Sequence, residues 1–243
     1  MELTFNISRW TAWAPGLSST EEWLAWSRSP TPVVGPEMPA LTELPAMARR
    51  RVDKLGRFVT HVALSLQGDS RGTPIVFASR HGDSTRAFDT QLEVAREAPV
   101  SPMAFALSVH NAIGGQYSVL RGETANVVAI ANGLFTLEAG LIEALTLGES
   151  AILVAYDNAP HPALAARFPD VPADFAFAWH VQRGGPWKLR TCGATPSRTA
   201  PVPHALDVFG FILRGDAMLR AGDGVSGYEW EYAPAVAAQR RAA

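Results

Sequence analysis

Leu3, Phe5 and Ile7 alternate with Thr4, Asn6 and Ser8. That period of two predicts an opening strand, half covered on one face and running to Trp10. From Met47 to Leu66 the spacing changes: Val52, Leu55, Val59, Val62 and Leu66 recur at helical intervals with Phe58 and Ala63 beside them, predicting one amphipathic helix. Its first turn would carry Arg49, Arg50 and Arg51. Pro74 to Ser79 is uniformly apolar, as expected of a strand buried on both faces, and it ends in Ser79-Arg80-His81-Gly82-Asp83. Ser84 then caps a helix to about Glu97. Ser101 is a second cap, with Pro102 at the first helical position, and a helical or loop segment from Met103 to Ala112 breaks at Gly114-Gly115.

Further on, Asn126 to Ala131 reads as a buried strand, Gly133 as a turn, Leu134 to Leu147 as a helix apolar almost all round, and Ala151 to Tyr156 as another buried strand. Phe175, Phe177 and Trp179 alternate with alanines in a strand to about Val181, and Lys188 to Cys192 is expected to return as its hairpin partner across Gly184-Gly185-Pro186. A helix from His204 to Leu219 and a strand from Tyr228 to Tyr232 close the pattern. Strands alternating with helices predict an α/β sheet with layered helices, in one domain over residues 1–243. Trp10, Trp13, Trp23 and Trp26 fall in a Ser-, Pro- and Gly-rich stretch, about residues 10–45, that reads as an arm. Two covers suit these tryptophans: a satellite core under a long loop, or a subunit interface.

Composition narrows the chemistry. The 243 residues carry a net charge of -2, with 47% hydrophobic and 18% charged residues, which excludes a disordered tail and most simple nucleic-acid binders. One cysteine, Cys192, forms no internal disulfide and fits a reducing, cytoplasmic setting. Glu138, Glu143 and Glu149 interrupt the most apolar stretch, so no membrane insertion is expected, and the start of the chain has no targeting pattern. The six histidines lack metal-ligand spacing, and neither a metal nor a cofactor is expected. A Gly-x-Gly-x-x-Gly at Gly222, Gly224 and Gly227 follows a helix and precedes a strand, the wrong context for a dinucleotide, and reads as a loop. Walker A and Gly-x-Ser-x-Gly sequences are missing. Three arginines where a helix starts oppose its macrodipole. They are either a solvated helix end or a contact for an acidic partner.

Two segments carry the remaining signal. In Ser101 to Gly115, small, polar and aromatic residues mix in a way that no amphipathic template explains. Ser108, His110 and Asn111 lie close in sequence, yet Ser and His two apart face different ways on a helix or strand, so structural hydrogen bonds compete with catalysis. The second segment is the strand-to-helix turn Val128-Ala129-Ile130-Ala131-Asn132-Gly133. A helix N-terminus there would activate a thiol, and the turn carries no nucleophile.

At these segments the sequence resembles the β-ketoacyl synthases of the thiolase superfamily, specifically the short β-ketoacyl-synthase-like N-terminal domain proteins of aryl polyene pigment clusters. The resemblance rests on Arg49-Arg50-Arg51, Ser79-Arg80-His81-Gly82, Ser101-Pro102 with Phe105, Ser108-Val109-His110-Asn111-Ala112, Gly115, and Gly140-Leu141-Ile142-Glu143-Ala144. It implies half of a thiolase-like fold, layered α/β with a buried helix, lacking the C-terminal catalytic half. It places the synthase cysteine at about Ile130, leaving no catalytic residue. The implied role is a chain-length-factor-like heterodimer partner of a catalytic ketosynthase in aryl polyene, fatty-acid-like or polyketide biosynthesis. Phe105, Ser108, Val109, His110, Asn111, Ile113 and Ile130 would then line the acyl tunnel or interface, and Arg49, Arg50 and Arg51 would meet the acyl carrier protein. The alternatives are a Ser/His thioesterase or acyltransferase using Ser108 or Ser101 with His110 or His81, and a non-catalytic scaffold.

Overall fold

A computed structural model of the chain describes residues 1–167, 171–197 and 199–234. Eight strands form one mixed sheet: β1 (Glu2–Trp13), β2 (Ile75–Ala78), β3 (Val127–Ile130), β4 (Ser150–Asp157), β5 (Phe175–Arg183), β6 (Trp187–Cys192), β7 (Met218–Gly222) and β8 (Gly227–Tyr232), in the order β3-β2-β4-β5-β1-β6-β8-β7. β2 runs parallel to β3 and β4, and the other pairings are antiparallel. The helices are α1 (Thr20–Arg28), α2 (Ala46–Arg49), α3 (Lys54–Gln67), α4 (Ser84–Ala95), α5 (Pro102–Ala106), α6 (Ala112–Arg121), α7 (Thr136–Thr146) and α8 (His204–Arg214). Strand alternation divides them between two faces. Ala151, Leu153 and Ala155 of β4 join the core under α1, α7 and α8, while Ile152, Val154 and Tyr156 join that under α3 and α6. The layered α/β expectation holds, and α7 buries Leu137, Leu141, Ala144 and Leu145. Among the described residues no helix is long and apolar enough to cross a membrane.

Several predicted elements change on folding. The period-two face of β1 shifts register between Ile7 and Arg9, so Trp10 and Ala12 lie with Leu3, Phe5 and Ile7 in one core while Trp13 enters the other. β5 and β6 are not a hairpin pair, because β1 lies between them and Phe5 is opposite both Arg183 and Trp187. The predicted helix from Met47 is two helices: the Asp53 side chain accepts from the Gly56 N–H at 2.7 Å and starts α3 afresh. Arg49 therefore ends the short α2 instead of opening a long helix, and cations suit that end of the dipole. α6 runs through Gly114-Gly115, where the glycine admits a close approach: a Cβ on Gly114 would lie 3.1 Å from Phe77 Cδ2 and from Val127 Cγ1. β3 is the sheet's edge and half exposed, since a short apolar run looks alike in sequence whether one face or both are covered. α8 stops at Gly215 in the left-handed region, which releases Leu219 into β7.

The tryptophans are covered by the chain itself. Trp23 and Trp26 sit on α1, Trp23 and Trp10 meet Phe209 of α8 at 5.3 and 5.5 Å, and Trp13 stacks on Phe58 of α3 at 5.4 Å. Trp23 and Trp26 belong to the main core rather than a satellite. The Gly222–Gly227 segment is a loop, as expected, but it joins strands β7 and β8 of a hairpin rather than a helix and a strand, because α8 has already ended at Arg214.

Candidate functional site

Parallel β2 and β4 end side by side, and the turn after β2 folds around Asp157 at the end of β4. Its carboxylate accepts from the Ser79 hydroxyl at 2.7 Å, the His81 N–H at 3.0 Å and the Arg80 N–H at 3.2 Å, while Ser79 Oγ accepts from the Gly82 N–H at 2.8 Å. Burial pushes the Asp157 carboxyl above its ordinary pKa, against the pull of those hydrogen bonds. His110 closes the arrangement: its Nε2–H donates to the Ser79 carbonyl at 2.8 Å, and its ring lies where a Cβ on Gly82, with φ of +58°, would come within 3.1 Å. The Ser-Arg-His-Gly and Ser-Val-His-Asn-Ala runs thus meet at one joint.

The remaining candidates divide. Phe105 is 61% and Val109 46% exposed, facing outward from α5 and the turn after it. Ser108 donates to the Phe105 carbonyl at 2.8 Å, and no hydrogen bond joins it to His110. Ser101 caps α5 as predicted, accepting from the Ala104 N–H. Asn111 precedes α6 without a side-chain cap bond, and Ile113 is buried in the α3 and α6 core. Ile130 packs toward the opposite core. Within this chain these residues line no common cavity.

The turn expected to hold a nucleophile is closed by other contacts. Thr136 Oγ1 donates to the Gly133 carbonyl at 2.8 Å and accepts from the Asn132 N–H at 2.9 Å, with no thiol or hydroxyl at Ile130. Cys192 is on β6, with four strands between it and β3. Arg50 and Arg51 are exposed, and Arg49 partly so. No group of three or more His, Cys, Asp and Glu among the described residues is placed to hold a metal.

A cleft opens where β2 and β4 end, lined by Ala78, Leu134, Leu137, Asp157, Ala173 and His204 among others. Sequence reasoning missed two of its residues and the carboxylate behind it. Asp157 stood directly after an apolar strand, Glu138 was the lone charge in the first two turns of an otherwise apolar helix, and His204 followed a proline at a helix start.

The fold has solved counterparts. A chain from the complex of the ketosynthase ApeO with its chain length factor ApeC, from Xenorhabdus doucetiae, is 26% identical with a TM-score of 0.82, the match covering 94% of this chain and 99% of that one. A β-ketoacyl synthase from Burkholderia phymatum STM815 matches at 14% identity and a TM-score of 0.54, over 74% of this chain and 59% of its own. The complex AntDE:AntF, a type II PKS acyl-carrier protein with its ketosynthase, matches at 11% identity and a TM-score of 0.51, over 82% and 66%. The present chain thus spans about two thirds or less of those two synthase chains. No curated protein matches it. The family model for the β-ketoacyl synthase N-terminal domain matches residues 23–231, most of the chain. The protein belongs to the β-ketoacyl synthase N-terminal domain family.

Proposed function

We propose that this protein is a non-catalytic, chain-length-factor-like partner of a β-ketoacyl-acyl carrier protein synthase, forming a heterodimer with it and shaping its acyl tunnel in aryl polyene, fatty-acid-like or polyketide biosynthesis. The observation that carries the reading is the near end-to-end match to a chain from a complex of a ketosynthase with its chain length factor. Two features support it. The turn after β3 offers no nucleophile, so condensation falls to the partner. Met103, Phe105 and Val109 are exposed on α5 and the turn after it, and exposed apolar side chains suit a subunit interface. Phe105, Ser108, Val109, His110, Asn111, Ile113 and Ile130 would line the acyl tunnel or interface once the partner completes it. Arg49, Arg50 and Arg51 offer the acyl carrier protein a basic contact in the cytoplasm.

Co-expression with a β-ketoacyl synthase that carries the catalytic cysteine, followed by gel filtration and product analysis, tests this. The expected result is a one-to-one complex whose product distribution differs from that of the synthase alone. Delivery by the carrier protein should weaken with salt while the complex persists. A chain that elutes apart from the synthase and leaves its products unchanged overturns the reading.

A further inference from the structure

His204, the first residue of α8, has 9% of its side chain exposed. Its Nε2–H donates to Glu138 Oε1 at 2.7 Å, and the same oxygen accepts from the Trp230 indole at 3.0 Å. Glu138 is fully buried on α7, with Oε2 unpartnered. Two donors on one oxygen fix the carboxylate and hence the ring, so the Nε2 proton is committed to Glu138. Nδ1 has no hydrogen-bond partner among the described residues, at a side chain that lines the strand-end cleft.

What the cleft presents is suited to an anion. α8 starts on Pro203 with no side-chain cap, leaving the first N–H groups of the helix at His204 and Ala205, both of which line the cleft. Among the described residues, the other charged ones lining it are Arg80, His81 and Asp157, and the Asp157 oxygens already accept from Ser79 and the two backbone N–H groups. Leu134, Leu137, Ala78 and Ala173 supply apolar wall. We propose that this cleft binds a small aliphatic carboxylate, its oxygens held by the His204 Nδ1–H and the uncapped N–H groups of α8, its tail against Leu134 and Leu137. The site uses residues of this chain alone and borders the turn after β3 through Gly133, Leu134 and Thr136. Burial drives the imidazole toward its neutral form, yet the charge and hydrogen bond of Glu138, helped by Asp207 and opposed by Arg80, raise its pKa above the ordinary value. A neutral ring would turn an acceptor to the ligand, so binding should decline as pH rises through that raised pKa.

The experiment is a titration of the full-length chain with butyrate, followed by the imidazole NMR signals, with butyramide as the neutral isostere. Butyrate should shift the His204 resonances saturably, more tightly at low than at high pH, and at least about tenfold more tightly than butyramide. His204→Gln should weaken binding at least about tenfold. Leu134→Trp, which fills the cleft and leaves the dyad intact, should do the same and decides the matter if His204→Gln does not fold. Equal binding of amide and acid, an affinity indifferent to pH, or an affinity unchanged in the folded variants overturns the proposal.

Discussion

Glu123 sits in the loop between α6 and β3 and gathers donors from three directions. Oε2 accepts from Gln67 at 2.7 Å, and Oε1 from the N–H groups of Gly72, Thr124 and Ala125 at 2.9 to 3.2 Å. Burial alone would raise its pKa, and the hydrogen bonds overcome that and bring it from 4.5 down to about 2. Because the folded value lies below the unfolded one, the stabilisation is present above about pH 4.5 and is lost as pH falls through about 2. Glu123→Gln should therefore destabilise the protein at pH 7 and show a flatter dependence between those limits in urea unfolding. Equal slopes for both proteins would contradict it. Nothing in the sequence marks this residue: Gln67 lies 56 positions away and Arg121-Gly122-Glu123 reads as an ordinary polar loop. Capping at Ser101, a local matter of three residues, was legible.

At the level of elements, the same contrast between local and distant causes recurs. Spacing located β1, β2, β4, β5 and α7, because alternation and helical period are written along the chain. Strand order was hidden, since the insertion of β1 between β5 and β6 depends on residues more than 160 positions apart. Likewise the strand-end joint was visible only as two separate runs, and His110 donating to Ser79 is what unites them. Glycines illustrate the limit well. Gly115 is exposed on α6 with nothing within 4 Å of a Cβ, whereas a Cβ on Gly140 of α7 would lie 2.8 Å from that of Ala78 and 2.9 Å from Leu153 Cδ1. Both look alike in sequence. Gly115→Ala should stabilise by about 0.5 to 1 kcal/mol through helix propensity, and Gly140→Ala should destabilise by about 1 to 3 kcal/mol through overpacking. Denaturant midpoints of the two variants, moving in opposite directions, are the measurement.

For the whole molecule, both faces of the sheet carry packed cores, its edges are β3 and β7, and Met103 and Phe105 of α5 stand exposed. The length and the empty nucleophile turn were readable from sequence, but exposure was not: Phe105 looked like a pocket residue and instead stands 61% exposed. Phe105→Ala should leave the melting temperature of the isolated chain within the small range of surface substitutions, about 0.5 kcal/mol, while lengthening the acyl product of the complex by mass spectrometry. An unchanged product would detach Phe105 from the tunnel. The position of β1 bears on how such a chain is made. Phe5 leaves the ribosome before most of the protein, yet the residues it pairs with, Arg183 and Trp187, are synthesised some 180 codons later. Until then an apolar strand has neither neighbour, and long-range pairing of this kind is slow and exposed to aggregation. The centre of the sheet therefore closes only once β5 and β6 have both been made.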